Sequence, residues 1–402
     1  MRTFAVVKNI SYSQKNILYL QKMAGIYIHI PFCRKACHYC NFHFSTNLQR
    51  KTDYLTALHT EIMLQKDYLN GETVETIYLG GGTPSLLTAA EINAIWKVLT
   101  AYHTIAADAE VTLEANPDDL TADYLENLQK TRINRLSIGI QSFSDADLRF
   151  FNRAHTATEA EAAIRLALQY NFTAISVDLI YGSPTTSDAD WAHNLARVAA
   201  LPISHLSCYG LTLEPKTALD AMIRKGKAPE ILDETAERHW RMLQDWLPAA
   251  GFEQYEISNF ARTGQYAKHN TAYWQNVAYL GLGASAHSFN TASRQWNIAH
   301  NSLYISSLEK NDLHFEIENL TPTNATNEYI MTALRTKWGL NLAKAAAIFD
   351  KNTVSENTTQ AYILAEAAPF LAKKQLFLEN NTLYLTQEGK LYADRIAAEL
   401  FL

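Results

Sequence analysis

The chain has 402 residues, 48% of them apolar, and a net charge of −6. That is material for two domains, one of them large. The charge balance and the lack of any basic block argue against a dedicated nucleic-acid binder, and no apolar run reaches the length of a membrane span. Residues 1–22 carry no signal-peptide pattern: Ile17 to Leu20 is a short apolar core with no small-residue cleavage site after it. They read as a loose extension that ends before Met23.

From Gly25 onward, short β-branched runs alternate with amphipathic helical stretches. The predicted strands are Gly25–Ile30, Thr76–Leu79, Glu110–Glu114, Arg135–Ile140, Ile175–Ile180 and His205–Leu211. The predicted helices lie near 51–69, 88–101, 119–130, 157–170, 188–200 and 233–250. This alternation makes an α/β chain of right-handed βαβ units around a parallel sheet. Six such repeats suit a partial or full barrel better than a flat sheet, with reactive loops at the carboxyl ends of the strands. After about residue 265 the composition shifts, and 268–310 is rich in Asn, Tyr, Trp and His. A more helical segment follows from 324. Gln375–Leu378 and Thr382–Thr386 then flank Glu379-Asn380-Asn381 as a hairpin, with a helix over 388–400. Helices followed by a hairpin make a small winged-helix-like α+β module. The expected divisions are 23–265, 266–320 and 321–402.

Three of the four cysteines stand in one loop after the first strand, Cys33-Arg34-Lys35-Ala36-Cys37-His38-Tyr39-Cys40. Thiolates at this Cys-x3-Cys-x2-Cys spacing can hold three irons of a [4Fe–4S] cluster and leave the fourth open for a ligand. A closed zinc site would need a fourth ligand, for which His38 and His43 are candidates. Disulfides fit poorly, since three thiols in eight positions make no even, spread set. An exposed cluster also needs a reducing interior, which points to the cytoplasm. Cys208 lies on the sixth strand and reads as a buried thiol.

Polar residues mark the following strand ends. Gly80-Gly81-Gly82-Thr83-Pro84 ends the second, either as a tight turn or to let backbone approach a ligand. Glu114 ends the third, Gln141 the fourth, and Asp178 lies in the fifth. A polar residue in an apolar strand is costly unless paired, so several at successive strand ends converge on a polar ligand.

These motifs, together with Tyr27-Ile28-His29-Ile30-Pro31-Phe32-Cys33 and Val177–Gly182, resemble the radical S-adenosylmethionine family. The nearest branch is that of the oxygen-independent coproporphyrinogen III oxidases and their heme-chaperone relatives, the HemW proteins. The resemblance runs from about Gly25 to the C-terminus. It implies a radical-SAM partial (β/α)6 barrel with Cys33, Cys37 and Cys40 as cluster ligands. It also implies that Tyr27, Tyr39, Gly81, Gly82, Thr83, Glu114, Gln141, Arg153 and Asp178 surround S-adenosylmethionine. The oxidases carry a further cysteine two positions after the third ligand, where this chain has Phe42. His269-Asn270-Thr271-Ala272-Tyr273-Trp274 matches the His-Asn-x-x-Tyr-Trp signature of the heme chaperones. On that resemblance His269, Asn270, Tyr273 and Trp274 become candidates for heme binding, and the expected partners are heme, a heme-accepting respiratory protein and an electron donor such as a flavodoxin or ferredoxin. Two alternatives stand beside this reading. One takes His269 as a hydrogen-bonded histidine at a domain junction, and the other takes the chain as an oxidase that decarboxylates coproporphyrinogen III.

Overall fold

The computed structural model describes residues 23–349 and 356–402, so the extension expected over 1–22 lies outside the described residues. Six parallel strands form the centre: β1 (Met23–Ile30), β2 (Thr73–Gly81), β3 (Ile105–Ala115), β4 (Arg135–Gln141), β5 (Ala174–Tyr181) and β6 (His205–Gly210). Each pairs with the next in chain order. Helices cross between them, giving the expected partial (β/α)6 barrel. Several helices start on a Ser or Thr cap just past a strand loop. Thr88, Thr156 and Ser187 each form a reciprocal capping box with Glu91, Glu159 and Asp190. The helix expected from 119 begins at Ala122, because Pro117–Asp119 makes a separate tight turn and Thr121 supplies the cap.

Alternation along the strands sorts side chains onto two faces. The outer face carries Leu136, Ile138, Ile140, Ile175, Val177, Leu179, Leu206 and Cys208, buried in one core with the surrounding helices. The inner face carries Thr112, Glu114, Arg135, Ser137, Gln141, Ser176, Asp178, His205 and Ser207, which line a single cavity. A parallel sheet usually buries apolar side chains on both faces. Here one face is polar, and that is where the site lies.

The sheet continues past both edges of this centre. Beyond β6 come the short antiparallel strands β8 (Asn259–Ala261) and β7 (Glu253–Gln254). On the other side β9 (Ala278–Leu282) runs parallel to β1. The antiparallel strands β10 (His287–Phe289), β11 (Ser293–Asn297) and β12 (Phe315–Asn319) extend it further. No strand was expected in 268–310. The buried positions of β10 and β11 include Ser288, Ser293, Gln295 and Asn297, so the apolar alternation that announces a strand is missing there.

The C-terminal part packs the helices Pro322–Leu334, Leu342–Phe349 and Glu356–Ala372 with a small sheet of β13 (Leu340–Asn341), β14 (Leu376–Glu379) and β15 (Thr382–Leu385). Asn380 and Asn381 turn the hairpin with φ of 48° and 59°, the left-handed pair that a two-residue turn demands. Ile330, Leu334, Leu340, Ile363, Leu383 and Ile396 form its own core. The single helix expected over 388–400 is two short ones, Gln387–Lys390 and Ala393–Glu399. Among the described residues no helix is long and apolar enough to cross a membrane.

Candidate functional site

The cysteine loop is held by backbone and side chains from distant parts of the chain. Cys33 N donates to Ser45 O at 3.0 Å and His38 N to Phe151 O at 3.1 Å. The Asn152 amide reaches Ala36 O at 2.7 Å, and His38 Nδ1 pairs with Phe150 O at 2.8 Å. Tyr39 meets Phe151 edge-on at 5.4 Å. So fixed, Cys33, Cys37 and Cys40 all open on a cavity of about 470 Å³, a volume ordinary for a small-molecule site. His38 and His43 are engaged elsewhere, the latter with Asn301 at 2.7 Å. Among the described residues no three Cys, His, Asp or Glu side chains converge on one metal ion; the three thiols surround a space.

Burial raises the Cys33 thiol and pushes that of Cys40 up to about 11. Thiols so placed stay protonated unless a cation draws off the proton, as iron does. The Arg153 guanidinium adds positive charge, with Nη1 at 3.2 Å from Cys37 Sγ. Its Nη2 bonds Asn116 Oδ1 and Gly139 O, both at 2.6 Å, while its buried Nε has no partner. Thr83 Oγ1 lies 3.5 Å from Cys33 Sγ and accepts from Asn116 Nδ2 at 3.3 Å. The donor set therefore fits an iron–sulfur cluster.

Two carboxylates face the thiols across the cavity. Glu114 accepts from Tyr78 O–H at 2.8 Å and Gly81 N–H at 3.1 Å. Burial raises it to about 7, with neighbouring Asp178 adding to the rise. Asp178 accepts from Ser137 O–H at 3.1 and 3.2 Å, and burial raises it to about 6. Gln141 takes a left-handed φ of 67° where β4 ends. Gly81 has φ of 106°, and a Cβ there would strike the His29 ring at 2.5 Å. Gly82 is pressed on protein rather than on open space: a Cβ would stand 2.7 Å from Phe32 O and 2.8 Å from Ile30 O.

Of the predicted residues, Tyr39, Gly81, Gly82, Thr83, Glu114, Gln141, Arg153 and Asp178 line the cavity with the three cysteines. Tyr27 stands one layer back, its hydroxyl 3.0 Å from His29 Nδ1. Asn270 reaches the cavity. His269 is 2% exposed, and both ring nitrogens are engaged, with Thr76 Oγ1 at 2.8 Å and Tyr273 Oη at 2.9 Å. Burial lowers it to about 3, so it is a neutral ring stacked on Tyr78 at 5.2 Å. Trp274 lies under the Arg335 guanidinium. Cys208 is buried on the outer face, away from the other thiols.

The sequence reading missed Asn116, Tyr78 and the deeper ring of Arg135, Ser137, Ser176, His205 and Ser207. The signal for the deeper ring was present as polar residues at alternate positions of β4, β5 and β6, whereas Tyr78 lies on β2 and Asn116 follows β3.

Residues 27–198 match the model of the Radical SAM superfamily. The chain is similar to the heme chaperone HemW of Mycobacterium tuberculosis, 32% identical over 94% of each chain. Against that of Bacillus subtilis it is 31% identical over 93% of this chain and 98% of the relative. Among solved structures, coproporphyrinogen III oxidase (HemN) from Escherichia coli, a radical SAM enzyme, superposes with a TM-score of 0.81. It covers 98% of this chain and 94% of its own at 24% identity, a likeness of fold.

Proposed function

Because the chain belongs to the radical S-adenosylmethionine superfamily and, within it, to the HemW family of heme chaperones, we propose that it carries heme to an acceptor protein, with a [4Fe–4S] cluster on Cys33, Cys37 and Cys40 and S-adenosylmethionine beside it. The observation that carries this reading is the convergence of three thiols, Arg153 and two carboxylates on one cavity at the strand ends. When bound, the cluster would supply an electron, drawn from a donor such as a ferredoxin or flavodoxin. The protein's part is placement. Arg153 balances thiolate charge while locking Asn116 and the end of β4. Glu114, steered by Tyr78 and Gly81, and Asp178, steered by Ser137, would offer carboxylates to the polar and cationic groups of the cofactor. Free thiols and iron–sulfur chemistry of this kind belong in a reducing compartment, the cytoplasm.

Within the signature segment, Asn270 faces the ligand space, while His269 ties the helix Lys268–Trp274 to Thr76 of β2, Tyr273 packs on His269 and Tyr279, and Trp274 stacks under Arg335. Iron ligation by His269 would first have to break one of its two hydrogen bonds, which leaves a buried hydroxyl unpaired.

Anaerobically reconstituted protein, titrated with heme and then mixed with an apo-cytochrome, tests the proposal. Saturable binding followed by transfer is expected. Absence of saturable heme binding, or conversion of coproporphyrinogen III to protoporphyrinogen at an enzymatic rate, would replace it with the oxidase reading.

A further inference from the structure

Phe42 is 67% exposed, more than any other large apolar side chain among the described residues. It stands two positions after Cys40 and lines the mouth of the cavity. Phe44 lines it from the same loop, and Tyr209, 45% exposed, and Leu211 from the end of β6. Lys35, exposed at the same mouth, contributes a cation. Two exposed aromatic side chains, Phe42 and Tyr209, with half-buried Phe44 beside them and Leu211 itself buried, mark one opening as a binding surface, whereas a single exposed side chain would need no explanation. The aromatic faces suit a flat, apolar ring system, and a cation beside them suits a ring with a carboxylate on its edge. The signature helix offers no comparable place: His269 is buried with both nitrogens bonded, and neither it, Tyr273 nor Trp274 borders the cavity.

We infer that the porphyrin docks across the mouth of the cavity with its ring stacked on Phe42, a carboxylate toward Lys35, and apolar contact with Phe44 and Leu211. This rests on the heme-carrier reading and deepens it by naming the surface that takes the ring. Binding is carried by the macrocycle, so it does not require iron.

The test titrates reconstituted protein with heme and, separately, with metal-free protoporphyrin IX, using wild type, Phe42→Ala and Phe42→Trp. Iron content and S-adenosylmethionine affinity are measured on each. Wild type is expected to bind both porphyrins. Phe42→Ala should weaken both by roughly tenfold or more while Phe42→Trp retains them, and cluster and cofactor readouts should stay at wild-type values. Wild type that binds heme but not the metal-free ring, or Phe42→Ala that binds both as tightly as wild type, overturns the docking surface and leaves the carrier reading standing. Wild type that binds neither overturns both.

Discussion

At the scale of single residues, the three loop cysteines share one cavity while Cys208 sits across the sheet in the core. Changing Cys33, Cys37 or Cys40 to Ala should abolish iron retention after reconstitution, read as iron per chain and visible absorbance. Cys208→Ala should keep the iron and cost about 1 kcal/mol of stability for the lost sulfur. Glu114 and Asp178 give a pH dependence with a definite sign. Burial holds their folded pKa values at about 7 and about 6, above the ordinary 4.5 and 3.8. The stability that their neutral forms contribute is complete below about pH 4 and is lost as pH rises through that window. Between pH 5 and pH 8, the melting temperature of ligand-free wild type should therefore fall relative to a Glu114→Gln, Asp178→Asn double variant. Affinity for the sulfonium cofactor should move the other way, rising from pH 6 to pH 8 as the carboxylates ionise. Flat calorimetric affinity over that range would remove both groups from the binding site. Gly82→Ala should disturb more than cofactor binding: its methyl group meets the backbone of Ile30 and Phe32, so iron content and S-adenosylmethionine affinity are expected to drop together.

At the scale of elements, the six parallel strands and their helices were legible because apolar runs and capping residues agree with one another. The Cys-loop, the glycine turn and three strand-end polar residues were legible for the converse reason: each interrupts an apolar pattern. Two things were hidden. β9 is short and apolar, but its partner β1 lies more than 240 residues earlier, and nothing in a local pattern names so distant a neighbour. The role of the helix Lys268–Trp274 was hidden because a histidine in a motif looks the same whether its ring faces a ligand or a wall. The structure turns His269 to β2 and Tyr273. His269→Ala should therefore destabilise the protein by roughly 2–4 kcal/mol, from the cavity and two orphaned hydroxyls. Chemical denaturation reads this, and the folded fraction should keep its iron.

At the scale of the whole molecule, two cores meet along a polar and aromatic seam. Lys337 bonds Glu253 at 2.9 Å, Lys390 bonds Gln254 at 2.8 Å, and Trp338 stands edge-on to Tyr255. Tyr255 continues inward through His205 at 2.7 Å to Ser176 at 2.7 Å, which lines the cavity. The C-terminal part thus braces the floor of the site. Trp338→Ala should lower stability by roughly 1–3 kcal/mol and weaken S-adenosylmethionine binding only modestly, a split that melting and calorimetry on the same sample would show. Equal loss of iron would mean that the seam also supports the cysteine loop.

The ties on that loop also set an order of events during synthesis. His38 donates its backbone N–H to Phe151 and accepts from Leu219 N at 2.8 Å, partners made long after the cysteines leave the ribosome. Closing such long loops is entropically unfavourable until the intervening strands have paired. The thiols therefore emerge early and unheld, and take their mutual positions only once about half of the chain has been translated and folded. A nascent chain stalled before Leu219 would present three cysteines without the backbone ties that hold their loop.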